Sequence, residues 1–227
     1  MDQDKVLHYS HNLPEVLPLL PLSGAILLDG TQMQLQVQED RYTSLIEQAL
    51  RSDRYIGLVQ TRDTSASAGA TCPALFRVGS LGEITGHERT KDGFYTITIK
   101  GVKRYRILEE EAQTQTPWRQ ARVCYDIDDK AQGSGELGPE KRRILIEALH
   151  AYLEVNDLET DWKIVMSADD EGLVSGLAMI CPFDPVEKQA LIECGTIGEQ
   201  ANTLIALMQF SEKACRHHGI SNSNLWH

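Results

Sequence analysis

From Thr31 to Gln38 polar and apolar residues alternate, the pattern of a strand with one face buried and one in solvent. The run Phe94-Tyr95-Thr96-Ile97-Thr98-Ile99-Lys100 alternates in the same way. It follows Lys91-Asp92-Gly93, a hairpin turn signal that pairs it with a preceding strand over about Gly79–Thr90. Tyr55-Ile56-Gly57-Leu58-Val59-Gln60 is nearly continuous in its apolar character and predicts a buried strand. Leu17–Leu22 and the stretch from Trp118 to Ile127 predict two more. One helical period interrupts these strands. Tyr42, Leu45, Ile46, Ala49 and Leu50 share a helix face, with Asp40 placed to cap its start.

Beyond residue 139 the period changes to 3.6. Pro139 suits the first turn of a helix that puts Ile144, Leu145, Ala148, Leu149, Tyr152 and Leu153 on one side. A second helix spans about Asp169–Ile180 and ends before Pro182. Asp184-Pro185-Val186-Glu187 joins an acceptor cap, a proline at the first position and a glutamate at the third. Thr196-Ile197-Gly198-Glu199 repeats the capping box ahead of a long helix through Leu204, Leu207, Met208 and Phe210. Thr61–Thr71 is small and polar and predicts a loop; Asp128–Pro139 combines charge, glycine and proline and predicts a linker. The expected organisation is a strand-rich unit over 14–127 with one helix, a linker over 128–139, a helical bundle over 140–218 and a tail over 219–227. No internal repeat is visible.

Composition narrows the function classes. The chain has 227 residues, 41% of them hydrophobic, enough for a core without metal or disulfide staples. The net charge is -11, and most of the excess falls after residue 135. An acidic surface repels phosphate backbones, which argues against a nucleic-acid binder. The cluster Lys100, Lys103, Arg104 and Arg106 lies on a predicted strand and is expected to be a solvated face. Five cysteines (Cys72, Cys124, Cys181, Cys194, Cys215) with wide spacing and no CxxC pair suit reduced thiols in the cytoplasm. Met1-Asp2-Gln3-Asp4-Lys5 has no apolar stretch behind a basic start, so no secretory signal is expected. Leu13–Leu28 carries Glu15 and further prolines and is too short to span a bilayer.

Catalytic patterns are missing. There is no GxxxxGK[ST] loop, no GxGxxG after a strand and no GxSxG elbow; Gly133-Ser134-Gly135 belongs to the linker. His87, His150, His217 and His218 are scattered. Cys215-Arg216-His217-His218 lacks the second ligand pair a structural zinc needs and reads as a helix C-terminus. Cys181 and Cys194 lie near predicted helix ends, as core thiols do. Glu109-Glu110-Glu111 reads as solvated surface and Asp169-Asp170-Glu171 as the first turn of a helix. No catalytic, cofactor or metal residue is assigned.

Three short phrases carry a resemblance. They are Leu17-Pro18-Leu19-Leu20-Pro21-Leu22, Val78-Gly79-Ser80-Leu81-Gly82-Glu83-Ile84 and Gly101-Val102-Lys103-Arg104-Tyr105-Arg106-Ile107. In this order, with Arg41–Arg51 as a helix and Tyr55–Gln60 as the next strand, they resemble the N-terminal substrate-binding domain of Lon proteases. Glu187-Lys188-Gln189-Ala190-Leu191-Ile192-Glu193 is similar to a helix of that family's bundle. The chain departs from the family at Leu28-Asp29-Gly30, where an aromatic–proline step is usual. The resemblance implies an α+β fold, a pseudo-PUA-like β-barrel followed by a helical bundle. It implies recognition of unfolded or degron-bearing polypeptides between barrel and bundle, with strand edges adding pairing, and a partner protease for an adaptor-like module. The Lon ATPase and peptidase segments are not in the chain, so proteolysis is not carried over. The alternative the fold implies is a PUA-like domain for a small molecule or RNA. Neither cofactor nor membrane is expected. Binding residues and oligomeric state stay unassigned.

Overall fold

The computed structural model describes residues 13–62, 73–111, 116–125 and 136–218, with side chains through residue 213. The body of the expected polar loop, most of the linker with Gly133-Ser134-Gly135, Cys72, the tail and the side chains of Cys215–His218 lie outside the described residues.

The described residues form six strands and six helices. In chain order they are β1 Val16–Leu22, β2 Gln32–Val37, α1 Asp40–Arg51, β3 Tyr55–Gln60, β4 Val78–Arg89, β5 Tyr95–Glu110, β6 Gln120–Cys124, α2 Pro139–Val155, α3 Trp162–Ser167, α4 Asp170–Ile180, α5 Pro185–Glu193 and α6 Ile197–His218. The sheet runs β2-β5-β4-β3-β1-β6, and β6 pairs with β5 as well. That extra pairing closes a ring of five strands, leaving β2 attached to β5 on one side only. The pairing of β6 with β1 ends at Pro18, so the later part of β1 keeps one open edge among the described residues. β1 and β3 are parallel, and the crossover they require is supplied by β2 and α1.

β5 runs for 16 residues, so the alternating Phe94–Lys100 segment and the Gly101–Ile107 phrase form one strand. Register shifts at Leu81/Gly82 and Ile84/Gly86 let so long a strand coil around the ring. Gly101 lies where the β1–β2 connection crosses β5; an added Cβ would run into the carbonyl of Leu28. Gly79 is held by the same logic, since its Cβ would meet the Leu58 carbonyl and the Tyr105 ring.

Three apolar clusters form the core. Leu17, Leu19, Val59, Leu81, Tyr105, Ile107, Ala121 and Val123 come from the five strands of the ring. Leu20, Leu58, Ile84, Ile97 and Ile99 pack under Leu45, Ile46 and Ala49 of α1. Trp118 joins this second cluster, and its indole N–H is buried with no partner among the described residues. The helices gather around Leu145, Leu149, Val174, Leu191, Leu204 and Met208, and Ile26 and Leu28 of the β1–β2 connection reach into that helical cluster.

Several expectations need correction. Asp40 does not cap α1: Glu39 occupies the cap position without a side-chain bond, and Asp40 sits in the first turn, where its carboxylate still suits the helix dipole. The last strand, expected from Trp118 to Ile127, begins at Gln120 and is Gln120–Cys124, with Asp126 and Ile127 outside the described residues. α3 has no counterpart in the sequence reading. It is six residues long, and its apolar Ile164 and Met166 face solvent, so no period announces it. The other helix signals hold. Pro139 stands at the first turn of α2, Asp169 accepts from Gly172 N–H, and Asp184 with Glu187 closes a full capping box. Thr196 accepts from Glu199 N–H, while the Glu199 carboxylate accepts from Gly195 N–H.

Candidate functional site

The boundary between sheet and helices is filled by side chains. Gln60, on β3, donates to Pro185 O at 3.0 Å and to Gln189 Oε1 at 3.2 Å. Gln189, on α5, donates in turn to Val78 O and to Glu193. Arg104, on β5, donates to the carbonyls of Ile192 and Cys194 at the C-terminal end of α5. A guanidinium there satisfies orphan carbonyls and meets the negative end of the helix dipole. Ser80 donates to Leu27 O, and Lys188 to Met179 O near the end of α4. Burial holds the Lys188 ammonium below its ordinary pKa. The void left in this seam is about 10 Å³, too small for any ligand. Around Gln60, Gln189 and Arg104 the space between strands and helices is occupied by the protein's own polar network. Arg104 is likewise not solvated: it is only 9% exposed, because its strand face turns toward α5 while Tyr105 turns into the ring.

Among the described residues, open space is found at a second place. A groove of about 280 Å³ is lined by Leu20, Pro21 and Leu22 of β1, by Leu35, Gln36 and Val37 of β2, and by Gln38, Glu39 and Tyr42 where α1 begins. Its floor is continuous with the second core cluster, to which Leu20, Leu22, Leu35 and Tyr42 all belong or pack. Leu19 N–H donates to Arg119 O, and Leu22 O accepts from Thr61 N–H, so these residues face opposite edges of β1. Pro21, two positions after Leu19, turns its missing N–H to the edge away from β3. Along the other wall β2 has β5 on one side and, among the described residues, no strand on the other. Glu39 and Asp40 are exposed at the α1 end. Arg41 donates to Glu39 at 2.8 Å and lies 4.5 Å from the centroid of the Tyr42 ring. Charge at the groove is thus sparse, and its walls are mostly apolar, with Gln36 and Gln38 among them. None of these residues was assigned from sequence. The available signal was Pro21 inside an apolar strand, since proline in a sheet marks a side with no neighbour.

The side chains weighed for catalysis are not brought together. Cys181 is buried at the end of α4, and burial pushes its thiol up to about 11. The Cys194 thiol is raised for the same reason and lies 3.4 Å from the Thr203 hydroxyl. Thiols held neutral in this way are poor nucleophiles. His87 lies on β4 near Tyr95, and His150 stacks on Trp162 of the helical part. Glu109–Glu111 is exposed, with Glu110 paired to Arg119. Asp170 bonds Leu137 N–H and Arg142, which hold its carboxyl below the usual range. Among the described residues no group of His, Cys, Asp and Glu could hold a metal, and no helix is long and apolar enough to cross a membrane.

Comparison with known proteins agrees with this picture. The family described as the ATP-dependent protease La (LON) substrate-binding domain matches residues 16–209. Lon protease 2 of Myxococcus xanthus is 26% identical over 203 residues, which is 87% of this chain and 24% of that protein. The Lon protease of Syntrophus aciditrophicus is 31% identical over 184 residues, 79% of this chain and 19% of that one. The chain thus spans about a quarter or less of these relatives. Among solved structures, the Lon N-terminal domain protein from Xanthomonas campestris superposes with a TM-score of 0.59 at 20% identity, covering 84% of this chain and 97% of that one. The N-terminal domain of the Mycobacterium avium complex Lon protease gives 0.60 at 16% identity, covering 86% and 98%. At these identities the two structures show a shared fold.

Proposed function

The chain belongs to the LON substrate-binding domain family, and from that premise we propose that it is a polypeptide-recognition module that performs no chemistry of its own. Its clients are segments exposed in unfolded or degron-bearing chains, held for a partner protease or kept from aggregating. The observation that carries this reading is the groove beside β2. It is open, largely apolar and bordered by a β2 edge with no strand partner among the described residues, whereas the seam groups Gln60 and Gln189 already have partners. An apolar groove gains free energy when an exposed hydrophobic segment enters it, at about 25 cal/mol per Å² removed from water. The match to the substrate-binding family over residues 16–209 supports a recognition role. The described cysteines are unpaired, consistent with work in the reducing cytoplasm.

The test is fluorescence anisotropy with a labelled, reduced and alkylated protein that cannot refold. The native form of the same protein and a single-stranded RNA serve as controls. Saturable binding to the unfolded chain alone is expected. Binding to the RNA in preference to the unfolded chain would overturn the reading.

A further inference from the structure

We infer that a client docks by adding a β-strand to the outer edge of β2, as an extended apolar segment flanked by basic residues. The inference rests on the polypeptide-recognition reading and fixes its geometry. In an antiparallel ladder alternate residues turn their N–H and C=O to the neighbour and away from it. Gly101 N–H donates to Thr31 O, so Met33, Leu35 and Val37 face β5. Gln32, Gln34 and Gln36 then present N–H and C=O to the outer side, where no strand pairs with them.

Exposed edges are usually blunted by lysine, proline or a bulge. β1 is blunted in this way by Pro21 where it borders the groove. β2 is not: from Gln32 to Val37 its register is unbroken, and its outward side chains are glutamines. An incoming strand therefore finds a hydrogen-bonding template on the β2 wall alone. Its side chains on one face fall on Leu20, Leu22 and Tyr42. Backbone pairing reads no sequence, which suits a site for varied unfolded clients. Charge selects the flanks. Glu39 and Asp40 stand exposed at the groove end, and Arg41 offsets one of them. Lysines or arginines beside the apolar segment are complementary to this surface.

The experiment uses a short labelled peptide of alternating valine and threonine with lysines at both ends. Two further versions are N-methylated on the backbone at alternate positions, one on each edge of the strand. Strand addition expects one methylated version to bind like the parent and the other to lose most affinity. In the protein, Gln36→Pro removes an N–H that faces outward and spares the β2–β5 ladder. It is expected to weaken the parent peptide about three- to tenfold, the worth of a hydrogen bond or so, with an unchanged circular dichroism spectrum and melting temperature. Glutamate flanks are expected to weaken binding further. Equal binding of both methylated peptides overturns strand addition whether or not the Gln36→Pro protein folds. Unaltered binding of the unfolded protein in that case leaves the recognition reading standing. If the wild-type protein binds neither the unfolded protein nor the peptide, both are overturned.

Discussion

At the scale of single residues, the phrases that carry the family resemblance have specific physical duties. Tyr105 is fully buried, its hydroxyl donates to Leu58 O at 3.1 Å, and its acidity is suppressed by burial. Gly57 and Gly79 make room for that ring. At Gly79 the obstacle to a side chain includes backbone, which cannot rotate aside. Gly79→Ala should therefore destabilise the protein by about 1–3 kcal/mol, the usual cost of overpacking, seen as a lower urea midpoint at unchanged slope. A stability equal to wild type would show that the ring is not held against this strand. Lys188 and Gln189, two polar residues in an apolar helix phrase, are buried because each answers a carbonyl on another segment. Arg104 was legible as a charge on a strand, but its destination was not. Nothing local to β5 announces that α5, almost ninety positions on, ends above it.

At the scale of elements, what was legible follows from how local the cause is. Caps and turns act over three or four residues, so Asp184 and Pro139 could be read directly, whereas Asp169, expected in the first turn, is the cap of α4. α3 escaped because a six-residue helix with an exposed apolar face has no period to detect. Asp184→Ala removes acceptors for two N–H groups and half of a capping box. A loss of about 1 kcal/mol is expected, measured by urea unfolding, with Asp184→Asn retaining most of the stability; equal stability of the alanine variant would deny the cap its role. Asp170 does more than start α4. It accepts from Leu137 N–H and pairs with Arg142 at 2.5 Å, tying the entrance of α2 to α4. Its carboxyl is held below the ordinary value in the folded state. The stabilisation is therefore complete above the unfolded value of about 3.9 and lost as pH falls through the lower folded value. Compared with Asp170→Asn, the wild type should be more stable at neutral pH, with the gap narrowing below about pH 4. A gap independent of pH would remove the carboxylate from that account.

At the scale of the whole molecule, the change from period two to period 3.6 near residue 139 announced two textures but not their union. Ring closure through β5 and β6, the reach of Ile26 and Leu28 into the helical core, and the filled seam all depend on contacts distant in sequence. For the same reason the groove was not legible: its walls are assigned only once β1, β2 and the start of α1 converge. The seam makes a prediction about cooperativity. Two units joined by a mobile linker alone would unfold separately, whereas a buried polar network couples them, since breaking it strands carbonyls and amides away from water. Hydrogen exchange in increasing urea should show β4, β5, α2 and α6 opening in one global transition. Arg104→Ala together with Gln189→Ala leaves Ile192, Cys194 and Val78 carbonyls without these donors and should let the helices open at lower urea than the strands. Separate transitions already present in the wild type would mean that the seam only fills space. A single transition in wild type that splits in the double variant would identify these few hydrogen bonds as what makes the strands beside the groove and the helices one body.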